Sequence, residues 1–231
     1  MASTQLPLAL SLDTEATFDN YYVAPSQQLP VAVLKGVATG QGEKLVYLAG
    51  RSGRRHLLQA CCQLADAQGR SVRYIPAAEL LDYPAEMVLE DADLADLVCI
   101  DGLSAIAGRS DWEVALFSLY NRALGGGCSL LFASTEVPDQ LAIELPDLAS
   151  RLQSFSVYRL SELSEEERIA ALCHRAQIMG LDINEALAEF IYRRCQRDLK
   201  ALFGVLSDLD RHSLARQRRL TIPFVKEIMS W

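Results

Sequence analysis

Four groups of residues have types and spacings that could do chemistry. The first lies in Leu45-Val46-Tyr47-Leu48-Ala49-Gly50-Arg51-Ser52-Gly53-Arg54-Arg55-His56-Leu57-Leu58, an apolar run, a glycine turn and the start of a helical pattern. Such a unit can cradle a phosphate, because backbone N–H groups and the helix N-terminus face the anion. A loop equipped to hydrolyse a nucleotide reads G-x-x-x-x-G-K-[ST], with lysine on the β/γ-phosphates and a hydroxyl on magnesium. Closing that pattern on Gly53 puts Leu48 where the first glycine belongs, and starting it at Gly50 leaves only G-x-x-G. Arg54 stands where the lysine would, keeping charge but not the compact ammonium. Arg55 replaces the hydroxyl residue and cannot ligate magnesium; it is a candidate to occupy the phosphate site itself. The loop reads as one able to hold a phosphate but not to cut it, against the alternative of an ordinary strand–turn–helix with incidental glycines.

The second group is Leu97-Val98-Cys99-Ile100-Asp101, an apolar run ending in an acid. A strand of this kind presents a magnesium-coordinating carboxylate beside a phosphate loop. The following position, where a second acid orients the attacking water in working enzymes of this architecture, is Gly102. The third is Arg151, in Pro146-Asp147-Leu148-Ala149-Ser150-Arg151-Leu152 just ahead of the last strand. An exposed arginine there could reach a neighbouring subunit's triphosphate, or simply form a surface salt bridge. Arg197, the fourth, opens a late helix and would turn toward the cleft or stay in solvent. Arg216, Arg218, Arg219 and Lys226 make a short basic run, for which a solvated face is the commoner explanation.

These residues need elements to hold them. A helical pattern through Leu29, Val31, Ala32 and Leu34 precedes the loop. Strands are expected at 45–48, 72–75, 97–100, 130–133 and 156–160, with helices at about 56–67 and 112–124, the latter stopped by Gly125-Gly126-Gly127. A short helix start is expected at 77–81. Alternation of this kind implies a parallel sheet covered on both faces. From Ser161 the period is helical throughout. Ser164-Glu165-Glu166-Glu167 is a capping box, Asn184 caps a second helix, a third spans about 198–215, and Thr221-Ile222-Pro223 opens a fourth. The expected organisation is a tail at 1–15, an α/β body at 16–160 and an all-helical lid at 161–231.

Composition narrows the function classes. The 231 residues are 50% apolar and 23% charged, enough for a sizeable core, and the net charge of −8 argues against bulk nucleic-acid binding. The charge is uneven: residues 1–150 carry 9 Lys and Arg against 19 Asp and Glu, and residues 151–231 carry 13 against 11. Cys61, Cys62, Cys99, Cys128, Cys173 and Cys195 show no C-x-x-C, and His56, His174 and His212 are far apart, so no metal site is expected. No signal peptide or long apolar run is present, and a cytoplasmic protein with no membrane partner is expected.

The combination resembles the AAA+ domain of the bacterial replication initiator DnaA and, more closely, the shorter DnaA-related proteins of the Hda branch. The resemblance runs from Thr17-Phe18-Asp19-Asn20-Tyr21 through Gly53–Leu58, Leu97–Asp101, Trp112-Glu113 and Leu119–Arg122. It continues through Leu145–Leu152 to Arg216–Glu227, and no counterpart of DnaA's separate DNA-binding domain is expected. It implies an AAA+ parallel-sheet body with a helical lid. It further implies a negative regulator of replication initiation that bridges the DNA polymerase III beta sliding clamp to DnaA and stimulates hydrolysis of DnaA-bound ATP, touching DNA only through the clamp. In Gln5-Leu6-Pro7-Leu8-Ala9-Leu10 the residues Gln5, Leu6, Leu8 and Leu10 look like the clamp-binding peptide; from the residues alone the segment reads as a peptide for another protein's groove or, the alternative composition favours, an arm packed on its own domain. Arg151 matches the arginine finger acting in trans, Arg197 the second-sensor arginine and Asp101 the Walker B acid, while Gly50, Gly53, Arg54 and Arg55 stand in the nucleotide loop. The family's cofactor is ADP; the short loop leads us to expect weak or no ADP binding, no metal and no ATPase of its own. The competing expectation is an active ATPase of the helicase-loader or DNA-binding type.

Overall fold

The central strands of the sheet are continuous apolar runs, which is what burial on both faces demands. The computed structural model describes residues 12–195, 198–216 and 219–231, with the backbone only at 214–216. Strands β1 (Leu45–Ala49), β2 (Val72–Pro76), β3 (Leu97–Asp101), β4 (Ser129–Ser134) and β5 (Ser156–Arg159) form one sheet in the order β2-β3-β4-β1-β5, every pair parallel. All of β4, and β3 up to Asp101, are buried, whereas the edge strand β5 exposes Ser156, Val157 and Arg159.

Helices α1 (Gln28–Ala38), α2 (Arg54–Ala67), α3 (Ala85–Leu89), α4 (Ser110–Gly126) and α5 (Pro146–Leu152) complete this unit. Tyr47, Val98, Ile100, Leu130 and Phe132 share a core with Trp112, Leu116 and Leu119 of α4 and with Leu148 and Leu152 of α5. Val46, Leu48, Cys99 and Leu131 alternate with them and point to the other face, where Cys99 meets Cys62 of α2. None of the six cysteines, all among the described residues, forms a disulfide, and burial raises the Cys61 and Cys99 thiols well above their ordinary range, so these two behave as small apolar groups.

Several elements differ from the sequence expectation. The helix α2 begins at Arg54, two positions early, because Gly53 adopts φ +84° and turns the chain directly into it. The helix α4 runs through Gly125 and Gly126 and stops only at Gly127, whose φ of +82° forms the left-handed cap. Residues 77–79 form a short 3₁₀ turn, with α3 following after Pro84. The helix α5 has no counterpart in the expected elements; Pro146 opens it, and Leu148 and Leu152, one turn apart, bury its inner face.

The second unit joins residues 163–231 with the short stretch Asp19–Ala24. Ala24 packs with Leu163 and Ala171, and the Tyr22 and His174 rings lie 6.1 Å apart, which ties that stretch to the helical unit instead of to the sheet. Residues 13–16, partly assigned to a tail by sequence, are held on α2, where the Gln63 amide donates to the carbonyls of Asp13 (2.7 Å) and Ala16 (2.9 Å). Helices α6 (Glu165–Ile178), α7 (Glu185–Arg194), α8 (Leu199–Arg216) and α9 (Ile222–Met229) make the lid. The capping box at Ser164 forms as expected, as do the side-chain caps at Asn184 and Thr221. Leu172, Leu187, Ile191, Leu202, Leu206 and Phe224 are among the residues that fill its core.

Candidate functional site

In a parallel sheet, side chains and loops that can meet a ligand collect beyond the C-terminal ends of the strands. Here Gly50 follows β1, Asp101 ends β3 and Ser134 ends β4. The loop Gly50–Gly53 links β1 to α2 in four residues. The Gly50 N–H donates to the Ser134 carbonyl at 3.1 Å, and the first residue after β5 presses on the same glycine: a Cβ at Gly50 would stand 2.8 Å from Leu160 Cβ and 2.9 Å from its carbonyl oxygen. Only glycine fits there.

Arg54 and Arg55 part company at the first turn of α2. Arg54 folds inward, its Nη1 donating to the Gly50 carbonyl and its Nε lying 3.8 Å from Asp101 Oδ1, with both side chains largely buried. Arg55, expected as the occupant of the phosphate site, instead lies half-exposed, pairing with Glu79 and donating to the Tyr74 hydroxyl at 3.3 Å. Its Nε keeps a longer contact, 4.0 Å, to Asp101 Oδ2. The physical reason is register: a step of one residue on a helix turns the side chain by about 100°, so Arg54 folds in against the loop carbonyl and Asp101 while Arg55 turns outward to Glu79 and reaches Asp101 only at its longer contact. Burial raises the Asp101 carboxyl above its ordinary range, against the pull of Arg54 and Arg55.

Gly102 is more than a missing acid. Its φ is +87° while its N–H donates to the Ala133 carbonyl at 2.9 Å, so a side chain there would be strained.

Arg151 sits elsewhere. Parallel pairing sets Ser156 beside Val46, the second residue of β1, so the chain enters β5 at the sheet's N-terminal edge. From Val46 to Gly50 the strand rises ~13 Å. Arg151, in the last turn of α5 just before that entry, therefore lies toward the opposite end of the sheet from the glycine loop. Its side chain is exposed, has no ion pair among the described residues, and lies with Cζ 5.6 Å from the centre of the Tyr120 ring. Ser154 locks the local geometry, donating to the Arg151 carbonyl at 2.6 Å and lying 3.1 Å from the Tyr120 hydroxyl.

The residue that sequence reasoning missed is Glu113. It is fully buried, and its carboxylate accepts from the backbone N–H groups of Gly108 (2.7 Å), Glu144 (3.0 Å) and Leu145 (2.7 Å). It thereby clamps the chain that enters α5, and with it the base on which Arg151 stands. An acid set between Trp112 and Val114 in a helix with a broad apolar face is the signal that could have found it.

Gln5, Leu6, Leu8, Leu10 and Arg197 lie outside the described residues. Of the basic run, Arg219 is exposed and Lys226 stands 5.5 Å from the Phe190 ring centre; Arg218 lies outside the described residues, as does the side chain of Arg216. Among the described residues no group of three or more His, Cys, Asp or Glu is placed to hold a metal, and no helix is long and apolar enough to cross a membrane.

The sheet order, the loop after β1 and the acid ending β3, followed by a helical lid, are those of the AAA+ fold, and solved structures agree. Domain III of the replication initiator DnaA from Thermotoga maritima superposes with a TM-score of 0.77 at 21% identity, over 95% of this chain and 97% of that one. AMPPCP-bound DnaA from Aquifex aeolicus gives 0.71 at 19% identity, over 85% of this chain and 65% of that one. The RuvB Holliday junction branch migration motor of Thermotoga maritima gives 0.68 at 17%, over 93% and 71%. At these identities the likeness establishes the fold. The lid narrows it: residues 165–229 match the family model of the Hda lid domain. That lid, together with the DnaA-like body, is consistent with an Hda-type, DnaA-related AAA+ protein, in agreement with the resemblance drawn from the sequence.

Proposed function

We propose that this chain is a regulatory adaptor that inserts Arg151 into the nucleotide site of an ATP-bound DnaA and accelerates hydrolysis there, so limiting re-initiation of DNA replication. The observation that carries the reading is the placement of Arg151: exposed, without an ion pair among the described residues, and toward the opposite end of the sheet from the chain's own glycine loop. A cation so placed cannot serve its own loop but is free to serve a second molecule's triphosphate, where one positive charge stabilises the transition state. The Hda-type lid and the DnaA-like body support a DnaA-related partner. In this reading the segment Gln5–Leu10 tethers the chain to the polymerase sliding clamp, raising the local concentration so that weak docking on DnaA suffices. The chain hydrolyses no ATP itself, since Arg54 and Arg55 replace the lysine and the magnesium hydroxyl.

The test measures phosphate released by ATP-loaded DnaA in the presence of DNA-loaded clamp and this chain. Arg151→Ala should remove the stimulation, by about a thousandfold or more for a finger. Deleting residues 5–10 should shift the dose response to higher concentration while leaving the plateau intact. Stimulation that survives Arg151→Ala refutes the role given to that residue, and an unshifted dose response refutes the tether. Brisk ATP turnover by the chain alone would favour the competing ATPase reading.

A further inference from the structure

AAA+ proteins are nucleotide-binding proteins, and the pocket at the loop after β1 can be tested for fit against a nucleoside diphosphate. A phosphate loop works by turning backbone donors and a helix N-terminus toward an anion, while a nearby acid takes the accompanying cation. Three observations run against that arrangement. The Gly50 carbonyl, an acceptor, is engaged by Arg54 Nη1 and so faces the guanidinium across the loop. The Asp101 carboxylate is met by the chain's own cations, with Arg54 Nε at 3.8 Å and Arg55 Nε at 4.0 Å. The loop has little room to back away, because even a Cβ added at Gly50 would stand 2.8 Å from Leu160 Cβ and 2.9 Å from its carbonyl oxygen.

Between the loop carbonyl and the acid, where a phosphate and its metal ion would have to enter, stands the Arg54 guanidinium, its side chain only 16% exposed. Arg54 Nε and Asp101 Oδ1 are both buried without a hydrogen-bond partner among the described residues and stand 3.8 Å apart. A ligand would have to break the Gly50 hydrogen bond and expel a buried cation from its carboxylate. The residues present do not fit ADP with magnesium.

We propose that Arg54 is a built-in substitute for the nucleotide. It joins the loop, the start of α2 and the end of β3 in the way a bound ligand joins them in an intact site, and it makes the folded state independent of ADP and ATP. The inference concerns the chain's own pocket and stands or falls apart from the role of Arg151.

The experiment uses the full chain alone, without DnaA or clamp, so that failure here leaves the adaptor reading untouched. Calorimetric titration of the wild type with ADP and with ATP, each with magnesium, should give no binding heat. Thermal unfolding should be unchanged at 1 mM of either nucleotide; a ligand at about a hundred times its Kd would raise the midpoint by about 5–10 °C. Arg54→Ala should lower the midpoint by several degrees, and Arg54→Lys, whose ammonium cannot bridge the carbonyl and the acid in the same geometry, should fall between. Micromolar ADP binding by the wild type, or a nucleotide-dependent rise in its midpoint, overturns the proposal. An Arg54→Ala protein as stable as wild type overturns it equally. Should Arg54→Ala not fold, the wild-type titration and the Arg54→Lys midpoint decide the matter.

Discussion

Replacing Glu113 by glutamine keeps the shape of the side chain and removes its charge, which makes it a sensitive probe of how α5 is held. In the native protein one carboxylate answers three backbone N–H groups, those of Gly108, Glu144 and Leu145, using both oxygens. An amide has a single acceptor oxygen, so whichever way it turns, at least one of these groups faces an NH₂. A buried donor left without an acceptor costs about 1–3 kcal/mol, and the bonds that survive drop from charge-assisted to neutral strength, a further loss of about 1 kcal/mol each. Relief from burying a charge offsets part of this, leaving a net loss of about 3 kcal/mol. For a chain of this size each kcal/mol moves the midpoint by about 2–4 °C, so Glu113→Gln should unfold about 6–12 °C below wild type. The second readout is local: amide hydrogen exchange at Gly108, Glu144 and Leu145 should accelerate more than exchange within β3 and β4. A midpoint within about 1 °C of wild type, with unchanged exchange at those three amides, would refute the reasoning.

Two further predictions concern the glycine loop. Gly50→Ala drives a Cβ to 2.8 Å from Leu160 Cβ and should cost about 1–3 kcal/mol, read as a lower urea midpoint with the slope unchanged. Asp101 tests the sign of its own titration: burial raises its pKa above the ordinary 3.8, so the folded state holds the proton more tightly than the unfolded chain. Its stabilising contribution is therefore complete below 3.8 and is lost as pH rises through the folded value. The stability of Asp101→Asn relative to wild type should accordingly increase as pH rises from below 3.8 to 7, measured by urea unfolding at each pH; a difference that shrinks over that range refutes the assignment.

Much of this architecture was legible in the chain. The runs Leu45–Leu48, Leu97–Ile100 and Leu130–Ala133 became the three interior strands, because a parallel strand buried on both faces has no polar alternation to hide it. The lid's helix starts were written in Ser164, Asn184 and Thr221, whose side chains meet backbone donors only a few residues ahead, a local interaction that sequence order alone specifies. The α5 helix escaped because seven residues carry too little periodicity to stand out, although Pro146 and the Leu148–Leu152 spacing marked it.

What tertiary structure decided was direction. Sequence placed Arg54 and Arg55 side by side at the loop; only the docking of α2 on the sheet buried Arg54 between the Gly50 carbonyl and Asp101 and left Arg55 half-exposed on Glu79. Sequence reasoning gave Glu113 no role, because only the return of the chain at Glu144 and Leu145, some thirty positions later, supplies its partners. Sequence set Arg151 ahead of the last strand, and only the parallel pairing of β5 with β1 put it toward the far end of the sheet from its own loop. Local patterns encode which elements form, since a helix or strand is stabilised by near neighbours and by the apolar face it presents. Which side chains meet across elements depends on contacts distant in sequence, and those become fixed only when the core closes.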